Sequence, residues 1–200
     1  AAGGELIFTP TDAEMYPPGD QTRVISGPLA ETMCGKFRPG HFEGVCTVVA
    51  KLFNIIPADT ALFGEKDYQQ LLVIRRMARD LDLGVEILGG PLIREEDGLA
   101  MSSRNAYLSP REREKAPLLH QTILEMAERL EGGGDIAELR ETAIEGLARA
   151  GFEVDYLEVR DADNLAPVTT HTDEPARVFA AAMLGKTRLI DNVAVPAGKK

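Results

Sequence analysis

The sequence predicts an α/β protein: a parallel sheet with covering helices, followed by a small α+β domain with an antiparallel sheet. Three observations carry this prediction. In residues 1–93 short apolar runs alternate with helical periodicity, in the order strand, helix, strand, helix, strand. After residue 93 the helical segments come first and the strand-like runs follow. The last two of those runs are joined by Leu184-Gly185-Lys186-Thr187, a hairpin-like connection that makes them antiparallel neighbours. The two units are therefore assigned to residues 1–93 and 94–200.

Each element has its own reason. Leu6-Ile7-Phe8 is an apolar run ended by Pro10, which reads as a buried strand, and Tyr16-Pro17-Pro18-Gly19 is a turn. From Gly44 to Ile56 the apolar residues Val45, Val48, Val49, Leu52, Phe53 and Ile56 recur at helical spacing, and Pro57 closes the helix. Thr60-Ala61-Leu62-Phe63 reads as a second buried strand stopped by Gly64. A helix from about Asp67 to Leu83 follows, and Val85-Glu86-Ile87-Leu88 is the third strand. In the second unit Ser109-Pro110-Arg111-Glu112 is a capping box with proline at the first helical position, opening a helix expected to reach Glu131. Gly132-Gly133-Gly134-Asp135 breaks the chain and caps another helix, which ends at Gly151. Strands are expected over 154–160, 177–183 and 188–195.

Composition sets the class. A hydrophobic fraction of 44% and a charged fraction of 27% are ordinary for a globular protein. A net charge of −10 argues against a nucleic-acid partner, which needs a basic surface. Cys34 and Cys46 have neither metal-ligand spacing nor a disulfide framework, and Cys46 stands in an apolar run expected to be buried. No stretch of the sequence is long and apolar enough to span a bilayer, and no signal-peptide pattern opens it, so the expected compartment is the cytoplasm.

Two polar islands depart from this ordinary background: Phe63-Gly64-Glu65-Lys66-Asp67-Tyr68-Gln69-Gln70, and Gly98-Leu99-Ala100-Met101-Ser102-Ser103-Arg104-Asn105. Small residues let a backbone approach a ligand, and hydroxyl, ammonium and guanidinium donors suit phosphate oxygens. Gly64 lies at a strand's carboxyl end, where α/β sheets bind ligands, and Lys66 follows at a helix start. The plainer readings are that Asp67 and Gln70 cap a helix and that residues 101–104 form a surface loop. Neither island is the common phosphate loop. Its nearest approach, Gly35-Lys36, has Ala30 for the first glycine and Phe37 for the Ser/Thr.

Together with Arg38-Pro39-Gly40-His41-Phe42-Glu43-Gly44-Val45, the two islands, in this order and spacing, resemble the pantothenate synthetase (pantoate–β-alanine ligase) family, from the first residues to about Val195. The resemblance implies a Rossmann-type, nucleotidyltransferase-like first domain. It implies ligation in two steps: pantoate and ATP form pantoyl adenylate and pyrophosphate, and β-alanine then displaces AMP. The implied ATP contacts are Gly64, Glu65, Lys66, Asp67, Ile93, Met101, Ser102, Ser103 and Arg104. Among these Lys66, Ser102, Ser103 and Arg104 act on the phosphates as the catalytic set. Gln70 is implied to hydrogen-bond pantoate, with Val45, Val48, Val49 and Phe63 as its apolar wall, although core packing explains those four equally well. Arg38 and His41 are implied to stand beside the adenylate, though a turn that starts a helix accounts for them too. Mg2+ accompanies ATP, no protein metal site is implied, and a homodimer is the family's expected assembly.

That family opens on a His-x-Gly-His signature, and none of His41, His120 and His171 lies in such a pattern. The expectation is that the chain starts partway through the first domain, with an incomplete parallel sheet, and that by itself it has little or no ligase activity. Two other readings stand beside the ligase: another adenylate-forming enzyme of the same fold, and a non-catalytic fragment that binds nucleotide weakly.

Overall fold

A computed structural model describes residues 3–170 and 174–196. His171 lies outside the described residues. A short helix α1 (Asp12–Met15) begins on a Thr11–Glu14 capping box, and an irregular segment then leads to α2 (Cys34–Phe37). The next elements are α3 (His41–Ile55), β1 (Thr60–Gly64), α4 (Tyr68–Asp80) and β2 (Glu86–Gly90). After them come α5 (Pro110–Lys115), α6 (Leu118–Glu131) and α7 (Ile136–Ala150), then β3 (Phe152–Asp161), β4 (Ala176–Leu184) and β5 (Thr187–Ala194).

β1 and β2 run parallel in register from Thr60↔Glu86 to Gly64↔Gly90, so both strands end on glycine at their carboxyl ends. α4 crosses over between them and packs on β1, β2 and α3. β3, β4 and β5 form an antiparallel sheet in that order, and β4 and β5 turn at Gly185-Lys186. The α/β class and both sheet types therefore agree with the sequence reading.

Three clusters hold the chain together. Phe42, Cys46, Val49, Val73, Ile74 and Met77 pack α3 on α4. A larger core joins α6 and α7 to the antiparallel sheet through fully buried Ile123, Leu147, Leu157 and Val178. Between them, Met33, Leu72, Leu165 and Phe179 form a small apolar seam. At about 2–5 kcal/mol per fully buried Leu truncated to Ala, Leu157→Ala is expected to be strongly destabilising. Chemical denaturation should show a lower midpoint with an unchanged slope.

Three expectations are corrected. Residues 5–8 are not a buried strand: Leu6 and Ile7 are 88% and 84% exposed, and no described strand offers them a ladder. The strand at 60–64 is present but not buried, since Leu62 is 70% exposed and only alternate residues turn inward. The helix opening at Pro110 does not run unbroken to Glu131. It stops at Lys115 and restarts at Leu118, because Pro117 has no N–H to continue the ladder and its ring crowds the preceding turn. The capping boxes themselves are as expected: Ser109 accepts from Glu112 N while Glu112 accepts from Ser109 N, and Asp135 accepts from Glu138 N. Among the described residues no helix is long and apolar enough to cross a membrane.

Candidate functional site

The first island is the turn between β1 and α4. β1 ends at Gly64 and a single 3-10 turn, Glu65–Asp67, carries the chain into α4. Gly64 is extended (φ −68°), and an added Cβ would meet nothing within 4 Å, so the fold itself leaves this spot open. Asp67 does not cap α4 through its side chain, so the capping explanation of this acid fails. The adjacent glutamines divide. Gln69 is 6% exposed and braces the upstream segment: it accepts from Cys34 N at 3.1 Å and donates to Leu29 O and Thr32 O at 2.8 Å each. Gln70 is half-buried, and its side chain makes no hydrogen bond among the described residues.

The second island begins on a hairpin. Arg94 bridges Ala100, and the turn between them needs Gly98 at φ +90°. A Cβ there would also stand 3.0 Å from the His120 ring, so Gly98→Ala is expected to destabilise the protein, by more than the about 0.4–1 kcal/mol that the same change contributes where alanine fits the backbone. A thermal melt would show it as a loss of stability. Arg113 reaches Glu95 and Asp97 at 2.5 Å each, Asn105 reaches Glu95 Oε1 and Ala100 O, and Leu99 and Ala100 are buried. The base of the loop is thus firmly anchored. Beyond it Met101, Ser103 and Arg104 are exposed, and Ser102 Oγ accepts from Arg104 N at 3.2 Å. Ile93, 67% exposed, is tied to the loop through its carbonyl, which accepts from Met101 N.

The fold brings the two islands together. Lys66 and Ser102 line one small crevice with Asn105, His120, Arg188 and Asp191. Lys66 is half-buried and forms no ion pair among the described residues. Burial pushes its pKa below the ordinary lysine value and the nearby Arg104 pushes it further, against the opposing pull of Asp67 and Asp191. His41 is lowered in the same way, first by burial, then by Arg38, with Arg104 and Arg188 adding to it and Asp67 opposing. Arg38 Nη1 lies 3.2 Å from His41 Nε2. Five positive or potentially positive groups therefore share one region of a chain whose net charge is −10. A sign follows for Lys66: without Arg104 its ammonium is easier to keep, so Arg104→Ala should move its titration upward. Carbon NMR of the lysine ε-methylene measures this directly.

Val45, Val48, Val49 and Phe63 belong to one apolar cluster: Val49 is buried, and the other three are partly exposed. Cys34 is half-buried and Cys46 fully buried, both as free thiols. The described residues contain no group of three or more His, Cys, Asp or Glu able to hold a metal ion. The sequence reading missed the residues that tie the islands to the antiparallel sheet. Arg94 pairs with Asp191 at 2.7 Å, and Asn192 Nδ2 donates to Glu65 O and Lys66 O. The available signal was a polar pair, Asp191-Asn192, between the apolar residues Leu189-Ile190 and Val193-Ala194.

Comparison with known proteins gives this geometry a context. The family model described as pantoate-beta-alanine ligase matches residues 1–194. The pantothenate synthetase of Paramagnetospirillum magneticum is 55% identical over 196 residues, covering 98% of this chain and 69% of that protein. That of a Bradyrhizobium species is 53% identical over 192 residues, covering 96% and 68%. Among solved structures, a pantothenate synthetase from Thermus thermophilus superposes with a TM-score of 0.91 at 49% identity, over 96% of this chain and 70% of that one. A pantoate-beta-alanine ligase from Francisella tularensis, complexed with beta-gamma ATP and beta-alanine, superposes with a TM-score of 0.69 at 31% identity, over 90% and 61%.

Proposed function

We propose, from the premise that this chain belongs to the pantoate–β-alanine ligase family, that its two islands serve ATP-dependent condensation of pantoate with β-alanine through a pantoyl adenylate. The observation that carries this reading is Lys66. A half-buried ammonium without a carboxylate partner, lowered by burial and by a neighbouring guanidinium, is an unfavourable arrangement in the free protein. An anionic ligand reverses the balance, and the phosphates of ATP suit it in charge.

In this reading the pantoate carboxylate oxygen attacks the α-phosphorus, and the bond to the departing pyrophosphate breaks. Lys66 meets the negative charge that grows on the leaving group. Ser102 and Ser103 donate to phosphate oxygens, and Arg104 closes from the solvent side. Gly64 and Asp67 stand at the ribose, with Glu65 beside them, and Ile93 and Met101 at the purine. Gln70, whose amide is uncommitted among the described residues, orients pantoate against Val45, Val48, Val49 and Phe63. Arg38 and His41 border the acyl group. The β-alanine amine then attacks the acyl carbon and AMP departs. The protein's task is alignment and charge stabilisation, which is where most of the rate of such transfers arises. Mg2+ enters with ATP as part of the substrate. The domain division at residue 93 and the cytoplasmic setting belong to the same proposal.

The test is isotope exchange between pyrophosphate and ATP across a panel of small carboxylic acids. Exchange that depends on pantoate supports the reading. Exchange with a different acid would make this another adenylate-forming enzyme, and nucleotide binding without exchange would make it a non-catalytic binder. A second expectation concerns the loop. Its base is pinned by Arg94 and Arg113, and Met101 N is held by Ile93 O, so residues 102–104 are the part left to close over phosphates. Hydrogen exchange at those amides should slow on adding ATP while residues 94–100 stay unchanged. Equal protection with and without ATP would show a static loop.

A further inference from the structure

Asp191 and Asn192 are neighbours on β5, both buried, at 5% and 2% exposure. Successive residues of a strand face opposite ways, so two adjacent polar side chains can serve two different partners. Asp191 takes the second island: its carboxylate accepts from Arg94 Nη1 at 2.7 Å and Nη2 at 3.0 Å, and Arg94 Nη1 also donates to Gly98 O. Asn192 takes the first island. Its amide donates to Glu65 O at 3.0 Å and Lys66 O at 3.1 Å, and its Oδ1 accepts from Arg177 Nε at 2.9 Å. The amide nitrogen has two protons and both are used on consecutive carbonyls of one turn, while Arg177 fixes which end of the amide is which. Asp191 Oδ1 in turn accepts from Asn192 N at 2.7 Å, which joins the two attachments.

Glu65 and Lys66 have few other restraints. Their turn is three residues of 3-10 helix with no side-chain cap, and Lys66 has no ion pair among the described residues. A residue that holds the Lys66 carbonyl therefore sets where its side chain starts. We propose that Asn192 is a positioning residue for Lys66, holding the lysine turn at a fixed distance from the serine loop that Asp191 secures through Arg94. The inference rests on the ATP reading above for its consequence, though not for the contacts. It also gives the antiparallel sheet a part in the site: any shift of β5 moves both phosphate-facing islands together.

The experiment has two arms, both on the 200-residue chain. Without ligand, carbon NMR of the Lys66 ε-methylene is titrated in the wild type and in Asn192→Ala. Release of the turn should move the Lys66 titration upward, toward an ordinary solvated lysine, because burial is what chiefly lowers it. With ligand, ATP affinity is measured calorimetrically for wild type, Asn192→Ala, Lys66→Ala and the double variant. Asn192→Ala should weaken ATP about tenfold when Lys66 is present and less than about twofold when it is absent, the signature of one residue acting through another. Asn192→Leu, which keeps the side-chain volume, is read in the same way if the alanine leaves too large a void to fold. An unmoved Lys66 titration, or equal losses of affinity in both backgrounds, would make Asn192 a structural residue only. If the wild type binds no ATP, the phosphate reading of the site fails, and the NMR arm still decides whether Asn192 positions Lys66.

Discussion

Lys66→Ala is expected to slow adenylate formation by about 10²- to 10³-fold, the usual consequence of removing one preorganised donor from developing charge. Pantoate affinity should stay close to that of the unmodified enzyme. The asymmetry is the informative part. Lys66 faces the crevice it shares with Ser102 and has Arg104 nearby, whereas the residues assigned to pantoate lie in the α3–α4 cluster and at Gln70. An ammonium that strengthens its contact as charge moves onto pyrophosphate contributes to the transition state more than to the ground state. The measurement is single-turnover formation of pyrophosphate, alongside pantoate binding to the same protein. Matching losses in rate and in pantoate affinity would reduce Lys66 to a structural lysine.

The second large effect is on stability. Asp191→Ala is expected to destabilise the fold by about 3 kcal/mol, the lower end of what breaking a buried ion pair costs, because Arg94 keeps some access to water. Three groups lose a contact at once: Arg94, which keeps Gly98 O, the His120 imidazole 3.4 Å away, and Asn192 N. Burial by itself would raise the Asp191 pKa. The His120 contact and the Arg94 hydrogen bonds and charge outweigh it and hold the carboxyl below its ordinary value. A depressed acid stabilises the fold at every pH above the unfolded value, near 3.9, and that contribution fades as pH falls further through the folded value. Urea midpoints measured from neutral pH downward should therefore show an acid-sensitive component below about pH 4 that Asp191→Asn lacks. If both proteins lose stability in parallel on acidification, the pair with Arg94 does not carry that component.

Local signals made several elements legible. The β1–α4–β2 crossover follows from two short apolar runs around a helical period, because a helix between sequential strands leads to parallel pairing. Ser109 with Glu112, and Asp135 after three glycines, are capping patterns whose partners lie within three residues, so sequence reveals them directly. Pro117 stands inside the helix expected to reach Glu131, and the helical pattern on either side conceals the break that its missing N–H imposes. Leu6-Ile7-Phe8 shows the opposite limit. Its β-rich apolar composition says that it could pair, yet a strand exists only where a ladder partner stands, and the described residues give it none.

The sequence by itself determined the order of elements from α3 onward apart from the break at Pro117, the family, and the residue types available to meet an anion: Lys66 in one short island, and Ser102, Ser103 and Arg104 in another, 36 or more positions along the chain. Only the tertiary structure decided that the islands share a crevice, that Gln69 is committed to the backbone while Gln70 is not, and that β5 holds both islands through Asp191 and Asn192. The physical reason is range. Capping, turn formation and periodicity act over a few residues and leave a local pattern. The bonds that space the phosphate-facing groups join residues about 100 or more positions apart, Arg94 to Asp191 and Lys66 to Asn192, and each half of such a pair looks unremarkable until the chain has folded.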